Sequence, residues 1–172
     1  VLLARGARRV IALDVGHGQL HPTIARDERV AVVEGTNARN LTRADYLALD
    51  GAAAETSLVV GDLSFISLRL VLPALAEAVT ADEFVLLVKP QFEVGRGGVR
   101  EGIVHDAGLR NDALMNVLWA AWDLGLGTSG LAASPIVGTH GNHEYLARFQ
   151  RGVGGNPTEW RVRATELTEG SS

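Results

Sequence analysis

Four times before residue 90 a short apolar run ends in a side chain that can do chemistry. Arg9-Val10-Ile11-Ala12-Leu13 ends in Asp14, and Val30-Ala31-Val32-Val33 ends in Glu34, with Thr36 and Asn37 just beyond. Leu58-Val59-Val60-Gly61 ends in Asp62, and Phe84-Val85-Leu86-Leu87-Val88 ends in Lys89. The steps are 23 positions from Asp14 to Asn37, 25 from Asn37 to Asp62 and 27 from Asp62 to Lys89, each the length of one βα unit. Runs this short and this rich in β-branched residues read as strands buried on both faces, as in a parallel sheet. The crossovers are expected at residues 19–26, 42–49 with Thr42 as N-cap, and 67–79. In the last of these, Leu68, Leu70, Val71, Leu72, Leu75 and Val79 make a broad apolar face. Parallel crossovers are right-handed, so all four polar ends should meet at one edge of one sheet, lining a crevice with Asp14, Asn37, Asp62 and Lys89.

Lys89 is the only lysine beside fifteen arginines. Pro90 cannot donate to a ladder and so ends the strand there, leaving the ammonium at the carboxyl end of a central strand, where open α/β sheets place their ligands. Taken alone, such a lysine more often snorkels to solvent or pairs with an acid. The recurrence of the pattern is what favours a site.

The chain has 172 residues, 47% hydrophobic and 21% charged, enough for one globular domain with a sizeable core. A net charge of −4 argues against binding nucleic acid with the whole surface; RNA contact would need a local arginine face, with Arg5, Arg8 and Arg9, or Arg96 and Arg100, as candidates. Absence of cysteine excludes disulfides and thiolate metal sites. No stretch approaches the ~20 apolar residues of a membrane span, so a soluble, cytoplasmic protein is the expectation.

After Lys89 a glycine-rich segment, residues 91–102, reads as a loop, with a mobile flap over the crevice as its functional reading and a plain connector as the rival. A helix N-capped by Asp106 should carry Leu109, Leu114, Val117, Leu118, Ala121 and Leu124 and stop at Gly125. Residues 130–137 and 143–150 read as antiparallel strands joined by the tight turn 138–142. Residues 151–172 read as a tail, a linker followed by a short alternating piece around Trp160, Val162 and Ala164.

The crevice does not fit a dinucleotide. Gly16-His17-Gly18 lacks the third glycine of the G-x-G-x-x-G turn, and no Walker lysine motif exists. An acid at a strand tip offers two acceptors to the hydroxyls of a ribose, so an adenosyl ligand without a pyrophosphate, such as S-adenosylmethionine, fits better. His140, His143 and Glu144 have neither helical spacing nor a distant third ligand, so no metal site is expected.

The motifs Asp14-Val15-Gly16-His17-Gly18, Thr36-Asn37-Ala38-Arg39, Asp62-Leu63-Ser64-Phe65-Ile66-Ser67, Lys89-Pro90-Gln91-Phe92-Glu93-Val94-Gly95 and Gly141-Asn142-His143-Glu144-Tyr145 together resemble the TlyA family. These are FtsJ-like ribosomal RNA 2′-O-methyltransferases, also labelled hemolysin A. The resemblance covers residues 1 to about 150, leaving residues 151–172 as the tail. It implies a Rossmann-like, S-adenosylmethionine-dependent methyltransferase sheet, mostly parallel with an antiparallel C-terminal strand, acting on cytidine riboses of rRNA in ribosomal subunits. A Lys-Asp-Lys-Glu tetrad is implied, with Asp62, Lys89 and Glu144 as three of its members: Lys89 would be the general base, and the two carboxylates would hold it and the hydroxyl. Asp14, Thr36, Asn37 and Asp62 would bind the cofactor.

Family members carry a first strand, a glycine-rich loop and the first tetrad lysine upstream of the region matched by Val1. The expectation is therefore a sheet lacking its first strand, with two open edges, and an activity that belongs to a longer parent chain. The alternative of another class is a non-catalytic Rossmann-like remnant, an RNA-associated or oligomerising module.

Overall fold

The computed structural model describes residues 1–138 and 141–170. They form two compact units: Val1–Thr56 with Pro73–Thr80, and Ser57–Leu72 with the described residues from Ala81 onward.

In the first unit, β1 (Val10–Leu13) and β2 (Val30–Val33) pair in parallel from Val10↔Val30 to Leu13↔Val33. Between them lies α1 (Pro22–Ala25), a single turn where residues 19–26 were expected to be helical. Pro22 at its first position presets the backbone angle, and the His21 ring accepts from Thr23 N, which fixes where that turn starts. Next comes α2 (Arg43–Leu49), which starts where expected: Thr42 Oγ1 accepts from Asp45 N at 3.1 Å and caps it.

The second unit holds β3 (Leu58–Gly61), β4 (Glu83–Val88), β5 (Leu126–Ala133) and β6 (Tyr145–Arg151), in the order β3-β4-β6-β5. β3 and β4 are parallel, whereas β6 runs antiparallel to both β4 and β5. The strands thus form two sheets among the described residues, correcting the expectation of one. Among the described residues β1, β2, β3 and β5 each have a ladder partner on one side only, four edge strands where two open edges were expected.

Helix α3 (Leu68–Ala78) precedes β4. Leu68, Val71, Leu72, Leu75 and Val79 are buried as the periodicity predicts, but Leu70 is exposed because it falls off the i, i+3, i+4 stripe. In β4, Phe84, Leu86 and Val88 are fully buried and alternate with half-buried Glu83, Val85 and Leu87. Opposite them in register stand Phe149, Ala147 and Tyr145, equally buried, so one face of the sheet is core and the other only partly covered. Pro90 opens a single helical turn, α4 (Pro90–Glu93), inside the segment expected to be all loop.

Helix α5 (Ala107–Trp122) starts at the expected cap: Asp106 Oδ1 accepts from Leu109 N at 2.8 Å. It buries Arg110, Ala113, Leu114, Val117, Leu118 and Ala121 and packs against β5. Gly125, at φ 75°, turns the chain out of the helix. The tail is not an extended, alternating piece. Asn156 and Glu159 form a reciprocal capping box around Pro157, and the turn it starts runs on into α6 (Arg161–Glu169). Ala164 and Thr168, four apart, are both buried on the side facing α5, and that helical spacing wins over the weak alternation around Val162.

Candidate active site

Topology brings three strand ends together in the second unit. β3 and β4 run in the same direction, so Asp62 and Lys89 follow at the same end of the sheet. The antiparallel β6 begins there: the last ladder pair is Val88↔Tyr145, and Glu144 immediately precedes Tyr145. Strand ends far apart in sequence thus deliver all three predicted catalytic residues to one edge.

Lys89 Nζ lies 2.7 Å from Asp62 Oδ1 and donates to Ser64 Oγ at 3.0 Å. The lysine side chain is only 12% exposed, but that of Asp62 is 71% exposed. An ammonium has three donors, and two are used here, which leaves one direction for an incoming oxygen. An ion pair with so open a carboxylate adds little stability, ~0–1 kcal/mol. What the contact does is orient the amine.

Glu144 is buried and differs from its expected role in one respect. Its Oε1 accepts from Gln91 Nε2 at 3.0 Å, while the ion-pair partner of Lys89 among the described residues is Asp62. Gly138 backs the carboxylate: a Cβ there would lie 2.5 Å from Glu144 Oε1, so only glycine fits without moving it. Beside it, burial and then the nearby Arg110 cation push the His143 imidazole below its usual range. Residues 139 and 140 of the expected turn, with His140 of the metal reading, lie outside the described residues.

Asn142 controls the glycine-rich segment. Its Nδ2 donates to Gly102 O at 2.7 Å, and its Oδ1 accepts from Val104 N at 3.3 Å. Together with Gln91–Glu144, this pins both ends of residues 91–104 to the start of β6. The segment is thus held at two points by side-chain hydrogen bonds.

The loop after Asp62 presents Phe65, which is 91% exposed and has φ 63°, in the left-handed region unfavourable to residues with a Cβ. Its ring meets Phe92 of α4 at 5.4 Å between centroids, tilted by 47°. Glu93, one residue on, accepts from Ser67 Oγ at 2.5 Å and from Leu68 N at 2.7 Å. Burial pushes its carboxyl above the usual range despite those hydrogen bonds. Ser64, Phe65, Gln91 and Glu93 all sit inside the motif strings, but nothing in their spacing tells which partner each reaches.

In the first unit, parallel pairing puts Asp14, Thr36 and Asn37 beyond the carboxyl ends of β1 and β2. Asp14 Oδ1 accepts from Gly16 N at 2.7 Å, and Asp14 O accepts from Thr36 N at 3.0 Å. Gln19 N donates to Glu34 Oε1 at 3.2 Å, so the two loops are tied together. Asn37 is exposed, and its Oδ1 accepts from Arg39 N at 3.0 Å. Of the arginines expected to form a face, Arg8 lies 3.6 Å from Glu55 and Arg9 pairs with Asp50. No helix among the described residues is long and apolar enough to cross a membrane.

The model of the FtsJ-like methyltransferase family matches residues 1–151. The chain is 49% identical over 148 residues to the 16S/23S rRNA (cytidine-2′-O)-methyltransferase TlyA of Mycobacterium tuberculosis, covering 85% of this chain and 53% of that protein. It is 39% identical over 150 residues to Hemolysin A of Brachyspira hyodysenteriae, covering 86% of this chain and 60% of that one. Among solved structures, a "Putative hemolysin from Streptococcus thermophilus" superposes with a TM-score of 0.86 at 36% identity, over 99% of this chain and 60% of that chain. The chain therefore spans about half the length of the curated relatives it matches.

Proposed function

Because this chain belongs to the FtsJ-like methyltransferase family, we propose that it serves S-adenosylmethionine-dependent 2′-O-methylation of cytidine riboses in rRNA, within ribosomal subunits and therefore in the cytoplasm. The observation that carries this reading is the sole lysine of the chain, nearly buried and held between Asp62 and Ser64 with one donor direction open. A ribose hydroxyl is a weak nucleophile, and a positioned amine is the group needed to take its proton.

The donor set at the tips of β1 and β2 fits an adenosyl group. Asp14 is exposed and fixed by its turn, with carboxylate oxygen to offer two ribose hydroxyls, and Thr36 and Asn37 supply polar groups for a base edge. When bound, S-adenosylmethionine supplies an electrophilic methyl group. The residues of this chain do the rest. Lys89 accepts the 2′-hydroxyl proton through its free direction, after giving one of its own to solvent. Asp62 holds the amine with one oxygen and offers the other to the sugar or the cofactor. Glu144, oriented by Gln91 at the same end of the sheet, helps to hold the incoming hydroxyl. Phe65 presents a bare aromatic face on which the cytosine of the target nucleotide can stack.

The test is transfer of a labelled methyl group to ribosomal subunits, with titration of S-adenosylhomocysteine alongside. Lys89→Ala should lower turnover by about 10²–10⁴-fold, the usual worth of a general base, with cofactor affinity retained. Turnover at the parent rate in that variant would remove Lys89 from the mechanism. Cofactor affinity should instead be lost in Asp14→Ala.

A further inference from the structure

We propose that Glu93 is a positioning residue for the methyl transfer, holding the Asp62 loop against Lys89 by capping helix α3 from a segment 25 residues away. The inference rests on the function proposed above.

Geometry carries it. The single turn of α4 puts Lys89, Phe92 and Glu93, at i, i+3 and i+4, along one side. Each meets the loop that joins β3 to α3. Lys89 holds Asp62 and Ser64, Phe92 meets the ring of Phe65, and Glu93 takes the hydroxyl of Ser67 and the first backbone N–H of α3. Residues 62–68 are thus fastened at three points to residues 89–93. Ser67 stands where an N-cap belongs, and its hydroxyl does accept from Arg69 N at 3.2 Å. That hydroxyl also donates to Glu93, so a helix end that could close on its own is tied to the lysine-bearing segment. Burying a carboxylate is costly, and burial does raise the Glu93 pKa. A neutral cap from Ser67 alone would avoid that cost. What the carboxylate adds is a fixed distance between the two loops, and a small displacement of a proton acceptor is enough to lose most of a rate.

Lys89, the only lysine of this sequence, gives a readout that does not depend on turnover. Acylation of its amine by an N-hydroxysuccinimide ester can be followed by peptide mass mapping in the full chain. Glu93→Ala should raise the acylation rate about tenfold by letting the loop open. The same variant should lower kcat by about 10–100-fold, with KM for S-adenosylmethionine within about twofold. Glu93→Gln keeps an acceptor for Leu68 N and should restore most of both values. Ser67→Ala, which leaves the carboxylate cap on Leu68 and so spares folding, should move acylation and kcat in the same direction by a smaller factor. If Lys89 acylates at the parent rate in both Glu93→Ala and Ser67→Ala, or kcat per folded molecule is unchanged in both, the proposal is overturned. Faster acylation in a protein whose parent form transfers no methyl group to rRNA would uphold the clamp and sink the functional reading instead.

Discussion

Replacing Arg110 by methionine tests how the C-terminal helix is held. Arg110 is only 7% exposed, and its guanidinium donates from Nη1 to Val104 O at 3.2 Å and to His105 O at 2.7 Å, and from Nη2 to Thr168 O at 2.7 Å. The Thr168 carbonyl belongs to the last turn of α6, where a cation also meets the negative end of the helix dipole. Methionine fills most of the volume but leaves these carbonyls without their donor. Two of the three bonds are buried, and a buried acceptor left unpaired costs about 1–3 kcal/mol. Against this, Arg110 Nε is itself buried without a partner, so its removal returns part of the cost. The net expectation is a loss of about 2–4 kcal/mol. With a urea m-value of about 2 kcal/mol/M, the unfolding midpoint should fall by about 1–2 M. Asn111→Ala is the control: its amide reaches Thr165 Oγ1 and Thr168 Oγ1 only at 3.3 Å, and its loss should cost no more than about 0.5 kcal/mol. Equal midpoint shifts for the two variants would refute the clamp, as would unaltered hydrogen-exchange protection of α6 in Arg110→Met.

Phe65→Gly should stabilise the fold by about 1 kcal/mol in urea titrations, because glycine removes the left-handed strain at φ 63°. The same change should weaken binding of a substrate RNA by about 1–3 kcal/mol if the ring is a stacking platform; unchanged RNA affinity would end that role. The side-chain hydrogen bond from Arg29 lowers the Asp27 pKa from 3.8 to about 2. A depressed carboxylate gives stability that is present above the unfolded pKa and lost as pH falls through the folded one, so Asp27→Asn should be less stable than the parent at neutral pH and converge on it as pH falls toward 2. Glu93 has the opposite sign. Its raised pKa favours the fold below the unfolded value and loses that contribution as pH rises through the folded value, so Glu93→Gln should gain stability relative to the parent across that rise, as paired urea titrations in acid and at neutral pH would measure.

The parts of the fold legible from sequence are those where a local pattern and its terminator agree. The four apolar runs became strands within a residue of their expected ends because each is stopped by a polar side chain, a glycine or, after Lys89, by Pro90. α5 was equally legible, with Asp106 before it and Gly125 after it. α6 was not. Val162, on its outer side, is exposed, and the helix is decided by burial of Ala164 and Thr168 beneath α5 and by the reach of Arg110. The glycine-rich segment looked free because its composition names no partner; besides local turns, Asn142 holds it from 38 to 40 positions away.

At the site, sequence alone determined which residue types stand at the strand ends: Asp14, Thr36 and Asn37 on one pair, Asp62 and Lys89 on the other, and Glu144 at the start of the last strand. Strand polarity follows from chain direction, and a terminator fixes the residue that emerges. Only the tertiary structure decided what those residues touch. Glu144 is taken by Gln91 across 53 positions, Lys89 by Ser64 across 25, and Ser67 by Glu93 across 26. The same holds for which strands pair, two sheets standing where the run of βα units suggested one. Ladder partners and long-range hydrogen bonds depend on register and packing summed over the whole chain, and no window of local sequence contains that sum.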